Sequence, residues 1–246
     1  MGPSAVAACE AFALCLFAGC ATPGPLHVYS LATTGERNVL DSGEGRNTLL
    51  PSFLAPDDAI SGFAYDPFTD HFFLRLEPGH RIRVVDRPAR AIKREFEIAH
   101  PASKCRGDLT VRPRDGHLFL LGAEPRQVIE TSRLGKVVRT FMLADVGVAP
   151  AGIAFDTVRD RLVVLGTDGL RITIHDLQGA PIGGFAVAQA AAPSLGFDAE
   201  KRELYAPLRD QAGAIGVFDE TGRLLRTSAA GGAFVDVGQR SFLRVF

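Results

Sequence analysis

The sequence predicts an all-β fold: a five-bladed β-propeller of four-stranded antiparallel blades, its ring closed by N- and C-terminal strands sharing one blade. Three observations predict it. Four stretches of the 246-residue chain align with one another, starting at Ser61, Gly107, Gly152 and Ser194. Their anchors Tyr65, Val111, Phe155 and Phe197 recur after 46, 44 and 42 residues, a period that suits propeller blades and not helical or leucine-rich repeats. The chain ends match complementary halves of the same unit.

Each element follows from local chemistry. Alternations such as Ile153, Phe155 and then Leu162, Val164 have period two and favour β-branched and aromatic residues, and no comparable helical stripe exists. Third and fourth strands are joined by Asp176-Leu-Gln-Gly179 and Asp219-Glu-Thr-Gly222, with Thr131 to Gly135 equivalent. Asp bonds its own turn backbone there and Gly supplies positive φ. The hairpins between first and second strands carry Asp66-Pro67, Asp115-Gly116 and Asp156 to Asp160, so these aspartates read as turn formers. The last fourteen residues, AFVDVGQRSFLRVF, match the first two strands of a unit, with Val235 in the place of Phe197. Pro25 to Leu40 match the last two, with Gly35 in the turn. Together they make a fifth blade and remove the exposed sheet edges of an open array. Asp41 to Ile60 is then a long connection whose Leu49, Leu50, Phe53 and Leu54 are expected to plug the channel mouth; six blades is the alternative if it hides strands.

The GxAFD-like first strand, the short second strand and the D-x-x-G turn resemble the NHL and YVTN propeller superfamily over about four fifths of the chain. That resemblance implies the fold, while its members include lactonases, phytases, glycosidases, quinoprotein dehydrogenases and pure binding modules, so fold alone assigns no chemistry.

The first nineteen residues read as an address. The apolar run Ala11 to Gly19 is about half the length that spans a bilayer. Phe17-Ala18-Gly19-Cys20 resembles a bacterial lipobox, although no Lys or Arg precedes the apolar run. The resemblance implies a signal peptide over 1–19, lipidation at Cys20, a tether over 20–25 and a propeller over 26–246. Ala21 after the modified Cys implies an outer-membrane lipoprotein of the cell envelope; a secreted or periplasmic protein is the alternative.

Charge and cysteine content exclude other classes. Lys plus Arg total 27 against 28 Asp plus Glu, with no excess of positive charge to drive binding to nucleic acid. Membrane attachment would come from the lipid alone. Cys9, Cys15 and Cys20 all fall within the first twenty residues and only Cys105 follows them, too few for a thiolate zinc site.

No catalytic signature stands out: the chain lacks G-x-S-x-G, G-x-x-x-x-G-K-[ST] and any H-x-x-x-H spacing. Ligands of such a ring are expected where the first strands begin and second strands turn into third. His80, Lys104, Arg106, Arg126, Asp168 and Arg209 supply a mixed-charge rim there, suited to an anionic or sugar-like ligand. Asp57, Asp58 and Asp108 come from neighbouring blades and are the candidates for calcium or another divalent cation, which prefers several oxygen ligands. The leading expectation is a non-catalytic propeller, without a cofactor, that binds an envelope protein or small ligand through its loop face. The alternatives are a metal-dependent lactonase-like or phytase-like hydrolase, with that acidic trio at the channel mouth, and a scaffold subunit of an envelope complex.

Overall fold

The computed structural model describes residues 24–32, 37–43, 45–77, 81–101, 107–145, 147–228 and 232–240. They form five four-stranded antiparallel sheets arranged as the blades of one propeller. Blade 1 contains β1 (Leu26–Leu31), β2 (Val39–Gly43) and β3 (Arg46–Leu50), with the C-terminal β20 (Phe234–Gln239) innermost. Blade 2 runs outward as β4 (Ala59–Asp66), β5 (His71–Glu77), β6 (Arg81–Asp86) and β7 (Ala91–Glu97). Blade 3 is β8 (Leu109–Arg112), β9 (His117–Leu121), β10 (Gln127–Thr131) and β11 (Val137–Met142). Blade 4 is β12 (Pro150–Asp156), β13 (Arg161–Gly166), β14 (Arg171–His175) and β15 (Pro181–Ala186). Blade 5 is β16 (Gly196–Asp198), β17 (Glu203–Pro207), β18 (Ile215–Phe218) and β19 (Leu224–Ser228).

The two ends meet in one sheet, as the repeats predict: β1 pairs antiparallel with β20, Tyr29 opposite Asp236 and Val28 opposite Val237. The division of that blade differs from the expectation. The N-terminal side supplies three strands and the C-terminal side one, not two and two. The supposed long connection contains the end of β2 and all of β3, joined around Gly45 (φ +71°). β3 reads as a loop because Arg46, Asn47, Thr48 and Leu49 are all exposed and show no apolar alternation. Leu50 and Phe53 are no plug: they are buried between blades 1 and 2 against Tyr29 and Phe72, while Leu49 is exposed.

Sheet faces pack on their neighbours around the ring, and the apolar core divides accordingly into five clusters, one at each junction. Alternation assigns residues to opposite junctions: Tyr29 faces blade 2, and Val28 faces Tyr205 and Val217 of blade 5. The D-x-x-G turns behave as their chemistry requires. Asp176 Oδ1 accepts from the amides of Gln178 and Ala180, and Gly179 takes φ +88°. The register shifts by one residue beside it, at Ile174/His175, the pattern of a turn closed by a glycine bulge.

Candidate functional site

The inner strands β4, β8, β12, β16 and β20 surround a central channel. Along an edge strand, every second residue spends its N–H and C=O on its own sheet and the residues between turn theirs outward. Here outward means toward the axis. The upper level consists of the amides of Phe63, Leu109, Ile153, Leu195 and Val235, and the chain closes it with its own side chains. Asp108 Oδ1 accepts from Phe63 (3.3 Å); Oδ2 accepts from Ile153 (3.2 Å) and Leu195 (3.3 Å); the Leu109 amide adds a fourth bond. The Val235 amide donates to Ser194 Oγ (3.1 Å), which returns a bond to the Val235 carbonyl. Asp108 is fully buried, and burial raises its pKa well above the usual range; the amide bonds oppose this and the nearby Asp236 adds to it.

Above this closed level the loop face holds a recess of about 470 Å³. All five blades contribute to it, through Ser61, Gly107, Ala151, Pro193 and Phe234 among others, and its wall is mostly small or apolar. Ser61 Oγ is buried there and finds no partner among the described residues.

The rim candidates divide into three groups. Asp168 and Arg209 come together: the Arg209 guanidinium donates to the Asp168 carbonyl across the junction of blades 4 and 5, while Asp168 Oδ1 accepts from the Leu170 amide (3.0 Å). Arg126 is exposed on the loop between β9 and β10 with positive φ, and its carbonyl accepts from Leu143. His80, Lys104, Arg106 and the lipidation candidate Cys20 lie outside the described residues.

The acidic trio does not assemble into a metal-binding group. Asp57 is exposed. Asp58 is buried among partners of its own, pairing with Arg83 (2.6 Å) and Arg81 (2.8 Å) and accepting from the Ala55 amide (2.8 Å). Burial works against its ionisation, but that amide and the two guanidiniums outweigh it and hold the pKa below the usual value. Arg83 also binds Glu95 (2.6 Å) and the Phe53 carbonyl, so this cluster fastens the chain between blades 1 and 2. Asp108 shares none of these partners and stands on the axis instead.

Asp236 was missed by sequence reasoning. It occupies the inner-strand position held elsewhere by Ala64, Thr110, Ala154 and Gly196, all small or uncharged, so an acid there is the signal. Aligning Val235 with Phe197 hid it. The structure places Val237, not Val235, level with Tyr65, Val111, Phe155 and Phe197, which line one lower recess together with it.

No known family matches the chain by sequence, and no curated protein does either. Solved structures do match in shape. A chain of the nidogen/laminin complex superposes with TM-score 0.57 at 14% identity, covering 87% of this chain and 98% of that one. A protein of unknown function from Bacteroides caccae gives 0.53 at 12% identity, covering 84% and 74%. These likenesses support the propeller fold and carry no function with them.

Proposed function

We propose that the protein is a non-catalytic binding propeller that takes an apolar group, of a small ligand or of a partner's side chain, into the loop-face recess. The observation behind this reading is the recess itself: 470 Å³ of mostly apolar wall supplied by all five blades, floored by the amide level that Asp108 and Ser194 have closed. Pockets of this size with a few placed polar groups are the usual small-ligand geometry, and Ser61 Oγ offers one such group. On this reading Arg126, Asp168 and Arg209, on loops between second and third strands, would serve as a polar rim to the recess.

The test uses 1-anilinonaphthalene-8-sulfonate as an apolar probe. Wild-type protein is expected to bind it saturably with enhanced fluorescence, and Ala151→Trp, which fills the recess, is expected to weaken binding roughly tenfold or more. Equal binding by both would overturn the reading.

We further propose that the chain works in the cell envelope as a lipoprotein, held through Cys20 to the outer membrane. The support is the apolar run ending in Phe17-Ala18-Gly19-Cys20. Among the described residues no helix is long and apolar enough to cross a membrane. Metabolic labelling with a fatty acid is expected to mark wild-type protein and to miss Cys20→Ser; unlabelled wild-type protein would refute it.

A further inference from the structure

Beneath the level closed by Asp108, the channel opens on the opposite face into a second recess of about 250 Å³. Among the described residues its lining includes Asp198, Glu200 and Asp236 and no Lys, Arg or His. Asp236 is almost fully buried and already accepts from the amides of Tyr65 (2.7 Å) and Val237 (2.8 Å). Asp198 is the unusual member. It ends the inner strand of its blade, as Asp66 and Asp156 end theirs, and each pairs with the first residue of the next strand: His71, Arg161 and Glu203 respectively.

The partners of these three acids differ. Asp66 places one oxygen on the Phe68 amide (3.0 Å) and the other on the Thr69 hydroxyl (2.6 Å). Asp156 accepts from the amides of Val158 and Arg159 with one oxygen and from the guanidiniums of Arg161 (2.8 Å) and Arg159 (3.3 Å) with the other. Asp198 Oδ1 accepts from the amides of Glu200 (3.1 Å) and Lys201 (3.2 Å). Its Oδ2 is buried, in a residue only 5% exposed, and has no donor among the described residues. The reason is a pair of residue choices: Lys201 stands where Arg159 stands in blade 4, and Glu203 stands where Arg161 stands and has Arg226 as its own partner (2.6 Å). A buried carboxylate oxygen without a donor is costly, and Asp198 is one of the residues lining an acidic recess that has no base among its described lining residues.

We propose that this lower mouth binds a small organic ammonium ion. The charged nitrogen donates to Asp198 Oδ2 and faces the Asp236 carboxylate, and the apolar part lies against Phe155, Phe197 and Pro113. An ammonium group needs three acceptors and is favoured over aromatic faces; the inward carbonyls of the inner strands supply what the two acids do not. A divalent metal fits less well. It needs six or more oxygens, no group of three His, Cys, Asp or Glu is placed to hold a metal among the described residues, and the two oxygens of Asp236 already accept amide bonds. The volume limits the ligand to a few heavy atoms beyond the nitrogen.

The experiment is calorimetric titration of the full chain at pH 8 with 1-butylamine hydrochloride, and in parallel with 1-butanol and with calcium chloride. Saturable binding of butylammonium, at least about tenfold tighter than butanol, is expected from one charge-assisted bond. Asp198→Asn is expected to weaken it by a similar factor. Thr157→Lys, an exposed substitution at the mouth that tethers a competing cation, should do the same and serves if Asp198→Asn fails to fold. Absence of butylammonium binding, binding unchanged in both variants, or Asp198-dependent binding of calcium in its place would overturn the proposal.

Discussion

Asp236 gives the fold a pH dependence that can be worked out from its surroundings. Burial lifts its pKa from 3.8 to about 7, against the opposing bonds from the amides of Tyr65 and Val237. Among the described residues no base lines this recess, and the acids on the axis and in it, Asp108, Asp198 and Glu200, all carry charge of the same sign. The folded protein therefore holds this proton more tightly than the unfolded chain. The acid costs nothing below pH 3.8, and stability is lost as pH rises through the interval up to about 7 and levels off above it. A rise of about three units corresponds to roughly 4 kcal/mol. The perturbation is Asp236→Asn, which keeps one acceptor and removes the titration. Urea unfolding of both proteins from pH 4.5 to 8.5 follows the effect, because carboxylates that do not interact with Asp236 cancel in the difference, and what remains is Asp236 together with its coupling to Asp108. Wild-type stability minus variant stability should fall by about 1.4 kcal/mol per pH unit through the middle of the range and become flat near pH 8. A difference constant across the range would refute the placement of this carboxylate in the channel.

Other substitutions test the joints of the ring. Arg83→Ala removes the guanidinium shared by Asp58, Glu95 and the Phe53 carbonyl, leaving buried Asp58 with Arg81 and the Ala55 amide; a loss of roughly 3 kcal/mol is expected in urea unfolding, and a loss below about 1 would contradict the burial of this pair. Gly179→Ala should cost roughly 2 kcal/mol, since φ is +88° and the new Cβ would run into the Met142 carbonyl of the preceding blade; thermal melting checks it, and an unchanged midpoint would show that this turn does not pack between blades. Truncation before Phe234 removes β20 and bares both β1 and the flank of β4. The truncated chain should lose its cooperative thermal transition and aggregate, whereas a soluble monomer with wild-type melting would mean that the ring does not depend on that strand.

Much of this architecture is legible because a blade repeats its own chemistry. Asp176 to Gly179 and Asp219 to Gly222 announce their bulged turns, and the spacing of Tyr65, Val111, Phe155 and Phe197 sets the number of blades. The closing blade is harder to read because its outermost strand, Arg46–Leu50, touches solvent along most of its length and needs no apolar alternation. That missing signal shifted the expected pairing by a strand and moved Val235 into the place of Val237. The site is less legible for a different reason. A channel lined by backbone leaves no residue pattern, so neither the inward amides nor the acids that cap them, Asp108 and Asp236, can be recognised until the register is known. Asp198 is harder still. Its sequence surroundings match those of Asp156, and its second oxygen is left without a donor because Glu203 replaces Arg161 across the hairpin and Lys201, in the place of Arg159, gives it only a backbone amide on the other oxygen.

The inner strands themselves explain why acids stand on the axis and why the two mouths differ. Parallel edge strands around an axis turn whole levels of N–H groups inward, and an unanswered buried amide costs about as much as a lost hydrogen bond. A carboxylate reaching from one strand can answer several at once, as Asp108 does for four amides and Asp236 for two. The same placement blocks the bore, so the channel is divided into two compartments instead of forming a passage. Above Asp108 the wall is mostly small and apolar; below it Asp236, Asp198 and Glu200 make the wall acidic, with no base among the described lining residues. A group drawn to one compartment is therefore poorly suited to the other, and specificity for ligand class follows from which inner-strand positions carry an acid.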